Sequence, residues 1–217
     1  FYVKNEVNNS VKNALVISNK LSKRKEAIIR NVVKRLNINT TFIGLVFNNM
    51  KPNNELINYI SKADIVFTIG LGSIESMFCG RIPILFDENN TKFEDGIVTS
   101  KNFDILKEHN FSGRATKRIM SEEDLLLDIK KYNPKDARLL RKMSLNNYSA
   151  DKQVIKLIKI YKDVIKNFKS KEMTNNEESI LFHFVQSVKE TKNYTYDVVH
   201  KQIIQPLLNK VETSEST

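Results

Sequence analysis

Cysteine, tryptophan and histidine are scarce in this sequence of 217 residues. It contains one cysteine, no tryptophan and three histidines. The single cysteine, Cys79, excludes an internal disulfide framework and a cysteine-based zinc site, so we expect a reducing compartment. His109, His183 and His200 share no metal-ligand spacing, so we expect neither a metal site nor a resident cofactor.

Long apolar runs and targeting signals are also missing. No segment approaches the ~18 to 20 apolar residues of a membrane span, and none has the pattern of a signal peptide. We therefore expect a cytoplasmic protein, with a peripheral position at the inner face of the membrane left open. The chain begins FYVKNEV, without Met, and we expect it to be a fragment of a longer protein.

Positive charge is in excess, because 35 Lys and Arg face 25 Asp and Glu, a formal net charge of +10. Such a balance favours anionic partners. The basic residues are not interleaved with aromatic side chains that could stack on bases, so we predict no nucleic-acid binding. A nucleotide-sized anion is the simpler expectation.

The first part of the chain alternates between strand-like and helix-like segments. Near-continuous apolar runs at 14–18, 41–47, 64–69 and 82–86 are typical of parallel strands buried on both faces. Apolar positions at helical spacing lie between them, as in 28–36 and 56–60. The pattern predicts an α/β fold, a Rossmann-like parallel sheet flanked by helices.

Beyond about residue 100 the pattern becomes helical, with predicted helices at 121–131, 135–146 and 151–168. The polar stretch KSKEMTNNEE then indicates a linker. We predict a nucleotide-binding domain over 1–169 and a helical extension over 170–217 that ends in disorder. The apolar positions within 176–211 favour self-association or packing on another domain.

Two predicted strand-to-helix turns carry candidate anion-binding residues. In SNKLSKRK, residues 18–25, Ser22 is a reasonable N-cap. Lys20 and Lys25 would converge on one anion beside the helix N-terminus. A merely solvated lysine-rich turn explains this stretch about as well.

The second turn lies in GLGSIESMFCGRIPIL, residues 70–85, where Gly70 and Gly72 close a strand and a helix begins near Ser73. Glycines permit a close backbone approach at the strand end where open α/β sheets bind ligands. Glu75 in this helix has two interpretations. It either compensates the helix dipole or accepts hydrogen bonds from the hydroxyls of a ribose.

The segment ADIVFTIGLGSIESMFCGRIPIL resembles the donor-binding C-terminal half of GT-B glycosyltransferases of the group 1 type. Lys20, Leu21 and Lys25 stand at the Arg, Leu and Lys positions of that family's phosphate-binding turn. Residues 95–114 are similar to a segment of one branch of these enzymes. The resemblance spans roughly residues 13–165.

The resemblance implies a transferase that binds a nucleoside diphosphate sugar without a metal. Glu75 would bind the ribose, and Lys20, Lys25, Gly70, Gly72 and Ser73 would bind the diphosphate. Many retaining members carry a second Glu eight positions earlier, where this chain has Phe67. By the resemblance, any catalytic base usually comes from an acceptor-binding N-terminal half, which we expect to lie outside this chain, so the resemblance implies no catalytic residue within it.

Two other functions remain open at this point. A sugar-nucleotide 2-epimerase shares the GT-B plan and a glycine-rich turn with a Glu. A non-catalytic module that has kept the fold could act as a nucleotide sensor or a scaffold.

Overall fold

The computed structural model describes residues 6–88 and 90–167, and over them the chain is an α/β fold. Its sheet contains the strands β1 Asn13–Ile17, β2 Asn39–Ile43, β3 Ile65–Phe67, β4 Ile82–Leu85 and β5 Gly96–Ile97. The helices are α1 Lys23–Arg35, α2 Asn53–Ile60, α3 Leu71–Phe78, α4 Phe103–Glu108, α5 Glu122–Lys130, α6 Pro134–Tyr148 and α7 Ala150–Asn167.

The strands lie in the order β2-β1-β3-β4-β5. The first four are parallel, as predicted. A fifth strand that the sequence analysis did not predict, β5, adds to the edge of this parallel sheet and runs antiparallel to β4, so the sheet is mixed and mostly parallel. About ten residues join these two strands, fewer than a crossover to a parallel neighbour requires.

Apolar side chains cover both faces of the sheet. On β1, Ala14 and Val16 belong to a core with Ile29 of α1, whereas Leu15 belongs to a core with Ile60 of α2. The alternation arises because successive strand residues point to opposite faces. Burial on both faces explains why the strands have continuous apolar runs.

The second predicted strand, 41–47, ends earlier than its apolar run. β2 stops at Ile43, and Gly44 follows with φ 138° and ψ 174°. Leu45–Phe47 then form one turn of 3₁₀ helix. A residue with a side chain rarely adopts the backbone angles of Gly44, so the chain leaves the sheet there.

The predicted helices at 121–131, 135–146 and 151–168 correspond to α5, α6 and α7. α5 begins with a capping box in which Ser121 and Asp124 bond each other's backbone N–H. The chain divides into the units Phe1–Ile160 and Tyr161–Thr217. The predicted extension over 170–217, including 176–211, lies outside the described residues. Among the helices that the structure describes, none is long and apolar enough to cross a membrane.

Candidate functional site

Two strand-to-helix turns meet at the carboxyl ends of β1 and β3. β2 lies on one side of β1 and β3 on the other, so the direction in which strands are added reverses between β1 and β3. In open α/β sheets ligands bind in the crevice outside the carboxyl ends at such a switch point. The two turns are residues 18–22, which lead into α1, and residues 68–70, which lead into α3.

The turn into α3 depends on two glycines. Gly70 has φ 60° and ψ −127°, a conformation that is essentially restricted to glycine. Its N–H donates to the carbonyl of Phe111 at 2.8 Å. A Cβ on Gly72 would lie 2.3 Å from Thr68 Oγ1. The glycines therefore let the chain turn tightly and begin α3 at Leu71, two residues before the predicted start.

The first turns of α3 hold Ser73 and Glu75. Ser73 is fully buried, and its Oγ has no hydrogen-bond partner among the described residues. Glu75 is half-buried, and within residues 6–88 and 90–167 no side chain or backbone group pairs with its carboxylate. Burial raises the pKa of Glu75 above its ordinary value. The carboxylate is thus partly desolvated and still available to accept hydrogen bonds.

Lys20 lies in the turn between β1 and α1, with an exposed side chain. Its backbone N–H donates to Ser18 Oγ at 3.1 Å. The 3₁₀ turn that follows β2 contacts the β1–α1 turn, because the N–H of Leu45 donates to Asn19 Oδ1 at 3.0 Å. Ser22 occupies the predicted N-cap position of α1, although its side chain makes no capping hydrogen bond.

Lys25 lies in the first turn of α1, where it is 2% exposed. Its ammonium donates to the carbonyl of Asp87 at 2.7 Å and lies 3.2 Å from Glu94 Oε1. The contact with Glu94 is an ion pair without the geometry of a hydrogen bond. Lys25 therefore binds the segment that follows β4. Its ammonium points to that segment and does not converge with Lys20 on the shared anion site that the sequence analysis predicted. Diphosphate binding by Lys25 stays a prediction.

The residue that the sequence interpretation missed is Asp87, which is 8% exposed and follows β4. Its Oδ1 accepts from the Ser18 hydroxyl at 2.5 Å and from the N–H of Glu88 at 2.7 Å. Burial raises the pKa of Asp87, against the opposing effect of these hydrogen bonds. The sequence signal that could have identified Asp87 is a carboxylate directly after the run IPILF, at the carboxyl end of a predicted parallel strand.

The structure thus groups most of the predicted site residues. Gly70, Gly72, Ser73 and Glu75 lie at the start of α3, and Lys20 lies in the neighbouring turn. Phe67, at the position of the family's second Glu, is 1% exposed and belongs to the core. In comparisons with known proteins, no family model matches this chain and no curated protein matches it.

Proposed function

We propose that this chain is the donor-binding domain of a GT-B-like glycosyltransferase. It binds a nucleoside diphosphate sugar at the carboxyl ends of β1 and β3. The sugar passes to an acceptor held by a domain outside this chain. The reaction is a hexosyl-type transfer that uses no metal, of the kind that builds carbohydrate or envelope polysaccharides.

The observation that carries this proposal is the position of Glu75. Its carboxylate is half-buried and has no partner in the described part of the chain, although burial without a partner disfavours the charged form. It lies one turn inside a helix at the switch point of the sheet. A pair of ribose hydroxyls would provide the missing hydrogen-bond donors.

The diphosphate has a separate set of proposed contacts. At the start of α3 the N–H groups of Gly70 and Ser73 already donate to the carbonyls of Phe111 and Gly70. The N–H groups of Leu71 and Gly72 have no acceptor within the helix, and the helix dipole favours an anion there. Gly70 and Gly72 place no side chain in front of these groups, and Lys20 adds an exposed cation from the adjacent turn. Together they would stabilise the charge that develops on the diphosphate as the sugar leaves.

A nucleotide-binding module that transfers no sugar is the second candidate. Phe67 fills the position where many retaining members carry a carboxylate, and Lys25 is already paired with Glu94. Both features leave fewer charged groups to assist sugar transfer, whereas Glu75 and the turn into α3 remain able to bind a nucleotide. A 2-epimerase would use the same turn and isomerise the donor.

Calorimetry on the full-length protein with UDP, GDP, ADP and CDP, alone and as sugar conjugates, tests the proposal. We expect one of them to bind and Glu75→Ala to weaken it by about 10- to 100-fold, the cost of hydrogen bonds to a charged group. Glu55→Ala, an exposed Glu in the first turn of α2, should leave the affinity unchanged. The absence of binding by every nucleotide would refute the proposal.

Product analysis then separates the candidates. A transferase consumes the donor only when an acceptor is present, whereas an epimerase converts the donor alone. A sensor or scaffold binds without turnover, and its partner binding should survive Glu75→Ala. The assay uses the full-length protein, because the proposal assigns acceptor binding to a domain outside residues 1–217.

A further inference from the structure

A chain of hydrogen bonds joins the ends of β1 and β4. The N–H of Lys20 donates to Ser18 Oγ at 3.1 Å, and the Ser18 hydroxyl donates to Asp87 Oδ1 at 2.5 Å. Ser18 is 4% exposed and Asp87 is 8% exposed, so both side chains are shielded from water. The carboxylate of Asp87 thereby reaches the turn that carries Lys20.

This connection passes over the end of β3. In the sheet β3 lies between β1 and β4, so β1 and β4 are separated by about 10 Å, twice the usual spacing between neighbouring strands. The side chains of Ser18 and Asp87 close that gap above the last residues of β3. Those residues lead directly into Gly70 and α3, so the connection joins the two strands that flank the strand leading into the second candidate turn.

Asp87 is held through both its backbone and its side chain. Lys25 of α1 donates to the carbonyl of Asp87, and the N–H of Glu88 donates to Oδ1. The charged groups that act on Asp87 are Lys25 and Glu88. Contacts with α1 and with the adjacent residue Glu88 therefore fix the position of Asp87 independently of Ser18.

We infer that Asp87 is a positioning residue of the candidate site, which acts through the Ser18 hydroxyl to hold the β1–α1 turn and thus Lys20 in place. The relevance to ligand binding rests on the proposed function, whereas the control of the turn does not. A charge-assisted hydrogen bond is shorter and stronger than a neutral one, which suits this role. Asparagine can accept the same two hydrogen bonds, and alanine cannot.

Amide hydrogen exchange in the ligand-free full chain tests the positioning role. We expect Asp87→Ala and Ser18→Ala each to lower the protection of the Lys20 amide by about tenfold, with no further loss in the double variant. Asp87→Asn should restore most of the protection. Asp136→Ala, which removes a carboxylate that accepts from the N–H of Ser100, is the control and should not affect Lys20.

Two results would overturn the inference. One is unchanged protection of the Lys20 amide in a folded Asp87→Ala variant. The other is an Asp87→Asn variant that loses as much protection as Asp87→Ala, because the hydrogen-bonded route would then not explain the effect.

Titration with inorganic pyrophosphate separates this inference from the proposed function. We expect Asp87→Ala to weaken pyrophosphate binding about tenfold and Asp87→Asn to retain most of it. Wild-type protein that binds neither pyrophosphate nor any nucleotide, while its Lys20 amide depends on Asp87, would refute the function and uphold the positioning role. Binding that is equally tight in Asp87→Ala would refute the positioning role at the site and leave the function standing.

Discussion

Replacing Lys25 by methionine would leave the Glu94 carboxylate buried without its nearest cation. Glu94 is fully buried, and Lys25 lies 3.2 Å from its Oε1, whereas Arg24 is more distant at 3.7 Å and half-exposed. Removing one partner of a buried ion pair costs about 3–5 kcal/mol, because the remaining charge stays desolvated. The carbonyl of Asp87 would also lose its donor. We therefore expect Lys25→Met to lower the free energy of unfolding by at least about 3 kcal/mol.

Thermal unfolding and urea titration measure this effect. A chain of this size loses about 2–4 °C per kcal/mol, so the midpoint should fall by roughly 6–20 °C. Lys20→Met is the matched control and should change the stability by less than about 0.5 kcal/mol, because Lys20 is exposed. Glu94→Gln in the Lys25→Met background should recover part of the loss. A loss below about 1 kcal/mol in Lys25→Met would refute the argument that Lys25 neutralises a buried carboxylate.

Three further predictions concern other parts of the fold. Gly72→Ala should destabilise by about 1–3 kcal/mol, since its Cβ would lie 2.3 Å from Thr68 Oγ1, and Thr68→Ala in the same chain should relieve most of that cost in urea titration. Because the pKa of Glu75 is raised in the folded protein, ionising its carboxyl lowers the free energy of unfolding as the pH rises through that pKa. Glu75→Gln should therefore be slightly more stable than wild type at pH 7, by less than about 1 kcal/mol, and equal to it near pH 4; an equal difference at both pH values would contradict this. Asp64→Ala should lower stability by at least about 3 kcal/mol, because Asp64 accepts from the backbone N–H groups of Asn8, Lys12 and Asn13.

Strands with long apolar runs were predictable, and very short strands were not. The segments around Val16, Val66 and Ile84 are continuous in apolar residues because both of their faces are covered. β5 contains only Gly96 and Ile97, which is too short for a periodic signal. Its antiparallel direction follows from the short connection after β4, a constraint that acts only once the sheet is assembled.

The site shows a similar division. Local backbone chemistry marked Gly70 and Gly72, because a turn with these angles requires glycine. The orientation of the Lys25 ammonium depends on a tertiary contact with Glu94, which lies 69 positions further along the chain. Spacing within residues 18–25 could not predict that contact. Asp87 was missed for the same reason, since its partner Ser18 lies 69 positions before it, in the turn between β1 and α1.

Backbone amide shifts measured during titration with a nucleoside diphosphate test the central claim most directly. The account predicts that the largest changes fall on two segments, residues 18–20 and residues 70–75, at the carboxyl ends of β1 and β3. Changes confined to the opposite end of the sheet, around Asn8 and Tyr132, which are joined there by a hydrogen bond, would contradict it. So would a titration that shifts no amide in either predicted segment.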